Sequence, residues 1–439
     1  MALATVDYCR PRLAQELLDF VLDHLHYDSK TLKQCALASK CLLPACQLHL
    51  FSSYEISSSN VYALMKLFTP HKFTDGRDDE GATLRAAVAN LLNTHATDLT
   101  LAISRDEFQD AFESSHLPEF KNVRNIVFKG EQLQSCLDIP SFLERTWTSP
   151  NSGIKSVGFN FELTSGKGVL ESLYILPATV ENVSLTFDEF ENDPQLSATS
   201  IRSKINLRHG DLDLDRGVHR FGGALRLQLA PYISHKEFLE AMLELEDLFK
   251  FEPKSIKYRV TSIVDTPFLA SLVGECKATL QYLDILCIDI GSIKPMEFQP
   301  FDFSQHRALR SIRIWTSGDC VSGWLSSTLS SIPKPSNGTP RDPPLRIELH
   351  ISLPLWAESR GNRRSRSKEV HEMVVSCMSV DVELSRLIGL SSEAPSAPGG
   401  TFSGITVDVS VTNLTQSYDE GIAAFMFPLM SGEGVLRLV

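Results

Sequence analysis

The sequence predicts an α/β chain: a small head of three helices, followed by an irregular solenoid of strand–helix units. Two observations carry that reading. Residues 8–56 are dense in leucine and broken by two turn signals. Further along, the pattern apolar-x-x-apolar-x-apolar keeps returning. It stands as Val123-Ile126-Phe128, Ile154-Val157-Phe159, Val180-Val183-Leu185, Leu280-Leu283-Ile285 and Leu309-Ile312-Ile314. Weaker copies centre on Leu99, Leu225, Ile256 and Ile347, so the successive spacings are 27, 31, 26, 42, 31, 27, 29 and 35 residues. A single compact sheet does not produce such a period; stacked units do.

The head comes first. After Pro11, Leu13, Leu17, Val21 and Leu25 recur every four residues, and Leu18 and Leu22 widen the stripe. Glu16, Asp19 and Asp23 break up the opposite face. Tyr27-Asp28-Ser29 stops this helix and offers Asp28 or Ser29 as the N-cap of a second. That second helix sets Leu32, Cys35, Ala36 and Ser39 on one face, and Pro44 opens a third containing Leu48 and Phe51. Three helices in so few residues bury too little surface to be stable unaided, so the block leans on the rest of the chain or on a partner.

The residues Glu16-Leu17-Leu18, Val21-Leu22 and His24-Leu25, then Thr31-Leu32-Lys33, then Leu43-Pro44-Ala45-Cys46, resemble an F-box of the fungal type over roughly residues 10–56. Two positions depart from the family pattern: Ala14 stands where a proline is frequent, and Leu42 where a tryptophan is frequent. The resemblance implies docking on the Skp-type adaptor of a cullin–RING ubiquitin ligase, with this chain selecting the protein substrate. The residues expected to bind the adaptor are Leu13, Leu17, Leu18, Leu42 and Pro44.

Residues 57–95 are expected to form a helical linker, and residues 96–439 the solenoid. Helix-compatible runs follow several strands, as in 131–147 and 236–251; in the latter Phe238, Met242, Leu245 and Phe249 share helical spacing. Strand plus helix at about 29 residues per unit resembles a leucine-rich repeat, whose strands would line a concave substrate-bearing wall. The asparagine usual after the strand is missing, since Glu131, Glu162, Asp188 and Ser317 occupy the matching positions. An ordinary α/β domain is the competing reading. Residues 191–221, 331–344 and 391–400 are expected to be inserted loops, and 402–411 a late strand. The final GVLRLV reads as one more strand in a cap.

Composition narrows the function. The formal net charge of −12 argues against general affinity for nucleic acid or anionic membrane. No apolar run approaches the roughly 20 residues that cross a bilayer. Nine cysteines, an odd number without a CxxC pair, suit a reducing compartment, so the expected location is cytoplasmic or nuclear. The sequons at Asn182, Asn337 and Asn413 read as chance.

No chemistry-bearing constellation emerges. Cys35, Cys41, Cys46 and His49 lack the paired spacing of a zinc clasp, and His24 and His26 diverge at a helix end. Neither GxSxG, GxxxxGK[ST] nor GxGxxG occurs. Asp211, Asp213 and Asp215 alternate in a charged loop, and 360–368 holds five basic residues that read as a solvated loop or a nuclear import signal. The expectation is therefore a non-enzyme with no catalytic residue, cofactor or metal. Its partners would be a Skp-type adaptor, a cullin through that adaptor, and a protein substrate. The alternative is a repeat scaffold that does not engage the ubiquitin machinery.

Overall fold

The computed structural model describes residues 15–25, 28–40, 42–57, 59–60, 87, 90–92, 94–102, 122–133, 153–191, 197–209, 218–228, 236–246, 248–260, 266–287, 299–317, 323–333, 342–352, 363–388, 405–412, 426–429 and 436–438. The chain divides into two compact units, residues 1–161 with 175–180, and residues 162–174 with 181–439.

The first unit opens with three helices, α1 (Gln15–His24), α2 (Ser29–Ala38) and α3 (Leu43–Ser52). Among the described residues their core is Leu22, Leu32 and Cys46, ringed by the partly buried Leu25, Cys35, Ala36, Leu42, Ala45 and Leu50. Asp28 caps α2: its carboxylate accepts from the Thr31 backbone N–H at 3.0 Å and from the Thr31 hydroxyl at 2.6 Å. The hydrogen bond from the Thr31 hydroxyl, more than any other cause, holds that carboxyl below its usual range. Pro44 sits in the first turn of α3, where its missing N–H costs nothing.

Helix α3 passes directly into β1 (Ser53–Ser57), which pairs in parallel with β2 (Asp98–Ala102). The strand ladder thus starts at Ser53, well upstream of residue 96. Strand β2 pairs in parallel with β3 (Asn125–Leu133), and β4 (Ser156–Ser165) follows. The described residues 90–92 and 94–95 of the expected linker are helical.

In the second unit β5 (Asn182–Glu191), β7 (Ala224–Gln228), β9 (Ser255–Arg259), β10 (Tyr282–Cys287), β11 (Ser311–Ser317), β12 (Leu345–Ser352), β13 (Ile405–Thr412) and β14 (Leu436–Leu438) lie side by side in that order. Every neighbouring pair is parallel. The central apolar residues of the repeat pattern meet in register: Val183 opposite Leu225, then Ile256, Leu283, Ile312 and Ile347. All six are at most 2% exposed. A side-chain period of two fixes this register, because a slip of one residue would turn the whole buried row outward.

A second regularity lies at the start of each strand. The backbone oxygens of Thr97, Arg124, Gly223, Lys254 and Gln281 each accept from two consecutive N–H groups of the following unit; for Gln281 these are Arg310 at 2.8 Å and Ser311 at 3.0 Å. Helices separate the strands: α4 (Gly166–Ile175), α5 (Ala198–His209), α6 (Lys236–Glu244), α7 (Thr266–Glu275), α8 (Gly323–Ser330) and α9 (Arg363–Ile388). Their buried residues, among them Met242, Leu272, Leu325 and Leu384, join the inward strand residues in the core. The protein is therefore an α/β chain of long parallel strand arrays alternating with helices.

Several local expectations need correction. The stretch 191–221 holds α5 and a short strand, β6 (His219–Phe221), where a loop was expected. Within 236–251 the helix ends at Glu244; Phe249 belongs to β8 (Phe249–Phe251), which pairs in parallel with β6. Residues 131–133 extend β3, and the rest of 131–147 lies outside the described residues. Glu131, Glu162 and Asp188 lie inside strands, which continue past them, whereas Ser317 is the last residue of β11. Residues 363–368 form the first turns of the 26-residue α9 rather than a loop. Residues 391–400, most of 331–344, and Asp211, Asp213 and Asp215 lie outside the described residues.

Candidate docking surfaces

Two surfaces, one in each unit, present side chains suited to protein contact. On the head, α1 turns Leu22 inward and leaves Phe20 59% and Val21 53% exposed. On α3 Cys46 points inward while Leu43 and Leu48 stand 37% and 48% exposed, beside an exposed Pro44. Asp23 and His49 approach to 3.0 Å and tie α1 to α3. Burial raises the Cys46 thiol above its usual value, as befits a core residue rather than a thiolate ligand. Among the described residues no three His, Cys, Asp or Glu side chains converge as a metal site would require.

The expected adaptor residues are distributed unevenly. Pro44 is exposed and Leu18 half-buried, whereas Leu42 packs on the head core. Leu13 and the side chain of Leu17 lie outside the described residues, as do Cys41 and His26. Phe20, Val21, Leu43 and Leu48 were not among the expected contacts. Within the apolar stripe of this helix Leu22 is buried and Leu25 partly buried against the head core, while Val21 is exposed.

The second surface is the strand face of the second unit that is not buried. Side chains here alternate with the core row and fall into registered rows. One row runs Arg226, Lys257, Asp284, Arg313, Glu348 and Asp408 across successive strands. The next runs Gln228, Arg259, Leu286, Trp315, His350 and Ser410. Tyr282 and Arg346 belong to the row on the other side.

Glu348 is the pivot of this face. It is 7% exposed, and it accepts from Arg313 Nε at 2.7 Å while Arg346 Nε lies 2.8 Å from its second oxygen. Burial pushes its carboxyl up, but the Arg313 hydrogen bond and the charges of Arg313 and Arg346 outweigh that and leave it below its ordinary value. Arg346 also donates to Asp408 at 3.1 Å, and Lys257 lies 3.3 Å from Asp284. His350 stacks on Trp315 with ring centroids 3.8 Å apart, and its Nδ1 is hydrogen-bonded to the Ser410 hydroxyl. Burial lowers its pKa, so the ring is neutral at neutral pH.

The sequence led to the expectation of a strand-lined wall but not to these residues of it, although each strand core was visible. The signal was the identity of the residues between the apolar positions, which becomes informative only when strands are aligned. No family model matches the chain, and no curated protein matches it. No helix among the described residues is long and apolar enough to cross a membrane.

Proposed function

We propose that the chain is the substrate-recognition subunit of a Skp–cullin–F-box ubiquitin ligase. In this reading α1 and α3 bind the Skp-type adaptor, and the open face of the parallel strands holds a protein substrate. The chain contributes no reacting group; its role is to hold the substrate near the chemistry of the assembled ligase. The observation that carries the reading is the head itself. Among the described residues Phe20, Val21, Leu43 and Leu48 stand in water on the first and third helices, the apolar surface that a partner would cover.

A second reading has its own support. Ser52, at the end of α3, accepts from Thr97 N–H at 2.8 Å, so the head also closes the first strand of its unit. A repeat array needs such a cap at its end, and a scaffold that never meets the ubiquitin machinery would need it too. Co-purification of the full chain with a Skp-type adaptor separates the two. The expected result is a stable complex that is lost on Leu43→Asp together with Leu48→Asp, with unchanged far-ultraviolet circular dichroism. A folded wild-type chain that retains no adaptor leaves the scaffold.

A further inference from the structure

The open strand face of the second unit differs in charge from the chain that carries it. The whole sequence has 42 Lys and Arg against 54 Asp and Glu. Among the described side chains of this face, Arg226, Lys257, Arg259, Arg313 and Arg346 outnumber Asp284, Glu348 and Asp408.

The three carboxylates are already engaged. Glu348 holds Arg313 and Arg346, Asp408 meets Arg346, and Asp284 meets Lys257. The cations are not used up in the same way. Arg313 bonds Glu348 through Nε, no hydrogen bond of its two terminal nitrogens is seen among the described residues, and its side chain is 44% exposed. Arg346 keeps one terminal nitrogen, and Arg259 has no ion pair among the described residues. A carboxylate that is itself nearly buried thus fixes two guanidiniums in place, removing much of the side-chain entropy that an incoming anion would otherwise cost.

Arg259, Arg313 and Arg346 form a diagonal stripe over β9, β11 and β12. Strand and residue spacings put its steps at about 12 and 8 Å, a length that roughly seven residues of extended chain cover. Beside the stripe stand Tyr282, 45% exposed, and the Trp315–His350 stack, flat surfaces for an aromatic or aliphatic side chain.

We propose that this face binds an acidic, extended peptide segment, with carboxylates facing Arg259, Arg313 and Arg346 and an apolar side chain against Tyr282 or Trp315. The assignment rests on reading the open face as the substrate-bearing surface and names the class of substrate it takes.

The test is selection of random dodecapeptides on the intact chain in the absence of any adaptor, so adaptor binding does not enter the result. Selected peptides are then titrated by fluorescence anisotropy. The expected binders carry two or three Asp or Glu and one aromatic residue. Arg259→Glu weakens them roughly tenfold, Tyr282→Ala weakens them as well, and replacing their acids by amides abolishes binding. Neither variant removes a core contact, so both stay folded. Neutral or basic binders that still respond to Tyr282→Ala would overturn the acidic class while keeping the face. Binders indifferent to both variants, self-association on this face, or no enrichment at all would overturn the surface assignment. None of these outcomes bears on whether α1 and α3 hold an adaptor.

Discussion

Two residues show how much rests on single contacts in the repeat array. Gly223 precedes β7 where the chain passes close to Asn182: a Cβ there would meet Asn182 Oδ1 at 2.1 Å and the Glu181 carbonyl oxygen at 3.0 Å. The same Asn182 oxygen accepts from Ala224 N–H at 2.6 Å, so it cannot swing aside without losing that bond. Gly223→Ala is expected to cost about 1–3 kcal/mol, seen as a lower urea midpoint at unchanged slope. Glu348 gives a pH signature. Its folded pKa is depressed, so its contribution is present above the ordinary value of 4.5 and fades as pH falls through the lower folded value. Each guanidinium is about half exposed, so solvent screens the pair, and Glu348→Gln is expected to cost only about 1–2 kcal/mol near neutrality. The gap between wild type and variant should close as pH drops below 4.5, and equal acid limbs in the two proteins would contradict this account. The sequence announced the apolar partners of both residues but not their polar ones. Alternation is a property of one strand, whereas the Asn182–Ala224 and Arg313–Glu348 contacts depend on which strands become neighbours.

At the scale of elements, the short β6–β8 ribbon is the most specialised piece. Phe221 stacks on Phe251 with centroids 5.0 Å apart, and Phe249 meets Phe251 edge-on at 5.5 Å. All three rings are buried, and Cys276, pushed up to about 12 by burial, donates its thiol to the Phe251 carbonyl. Phe249→Ala is expected to remove about 3–5 kcal/mol, measurable as an early loss of amide protection in β6 and β8. The helical spacing of Phe238 and Met242 was legible and is real; Leu245 lies one residue past the helix end, and Phe249 continued the spacing by coincidence in a strand. Helix α5 was hidden for the opposite reason. Its sequence, ATSIRSKINLRH, scatters Ala198, Ile201, Ile205 and Leu207 among polar and charged residues, so no strong apolar stripe stands out. On the head, the apolar stripe of α1 was legible, but which of its members turn inward depends on the facing helices, and Leu22 is buried where its neighbour Val21 is exposed.

For the whole molecule, the arrangement of neighbours governs stability. Strands adjacent in space are adjacent in the order of the array, so each unit draws its support from the two beside it. Leu283 is fully buried and in register between Ile256 and Ile312. Leu283→Ala is expected to cost about 2–5 kcal/mol, and hydrogen exchange should show β9, β10 and β11 losing protection while β13 keeps it. Uniform loss across the second unit would mean that it unfolds as one block. The repeat period was legible along the chain because every unit solves the same packing problem with the same local pattern. The connections between strands were less so, since they answer only to their own two neighbours and vary in length from unit to unit.

The paired acceptance at the strand starts has a consequence for how such a chain grows. The carbonyls of Gly223, Lys254 and Gln281 do the same job at successive units. A genetic duplication running from one of these residues to the next would therefore insert a complete rung whose two edges already match the old ones. Deleting the same span would close the gap with an equivalent junction. Such a chain can thus be lengthened or shortened by whole rungs, leaving the rows on either side intact.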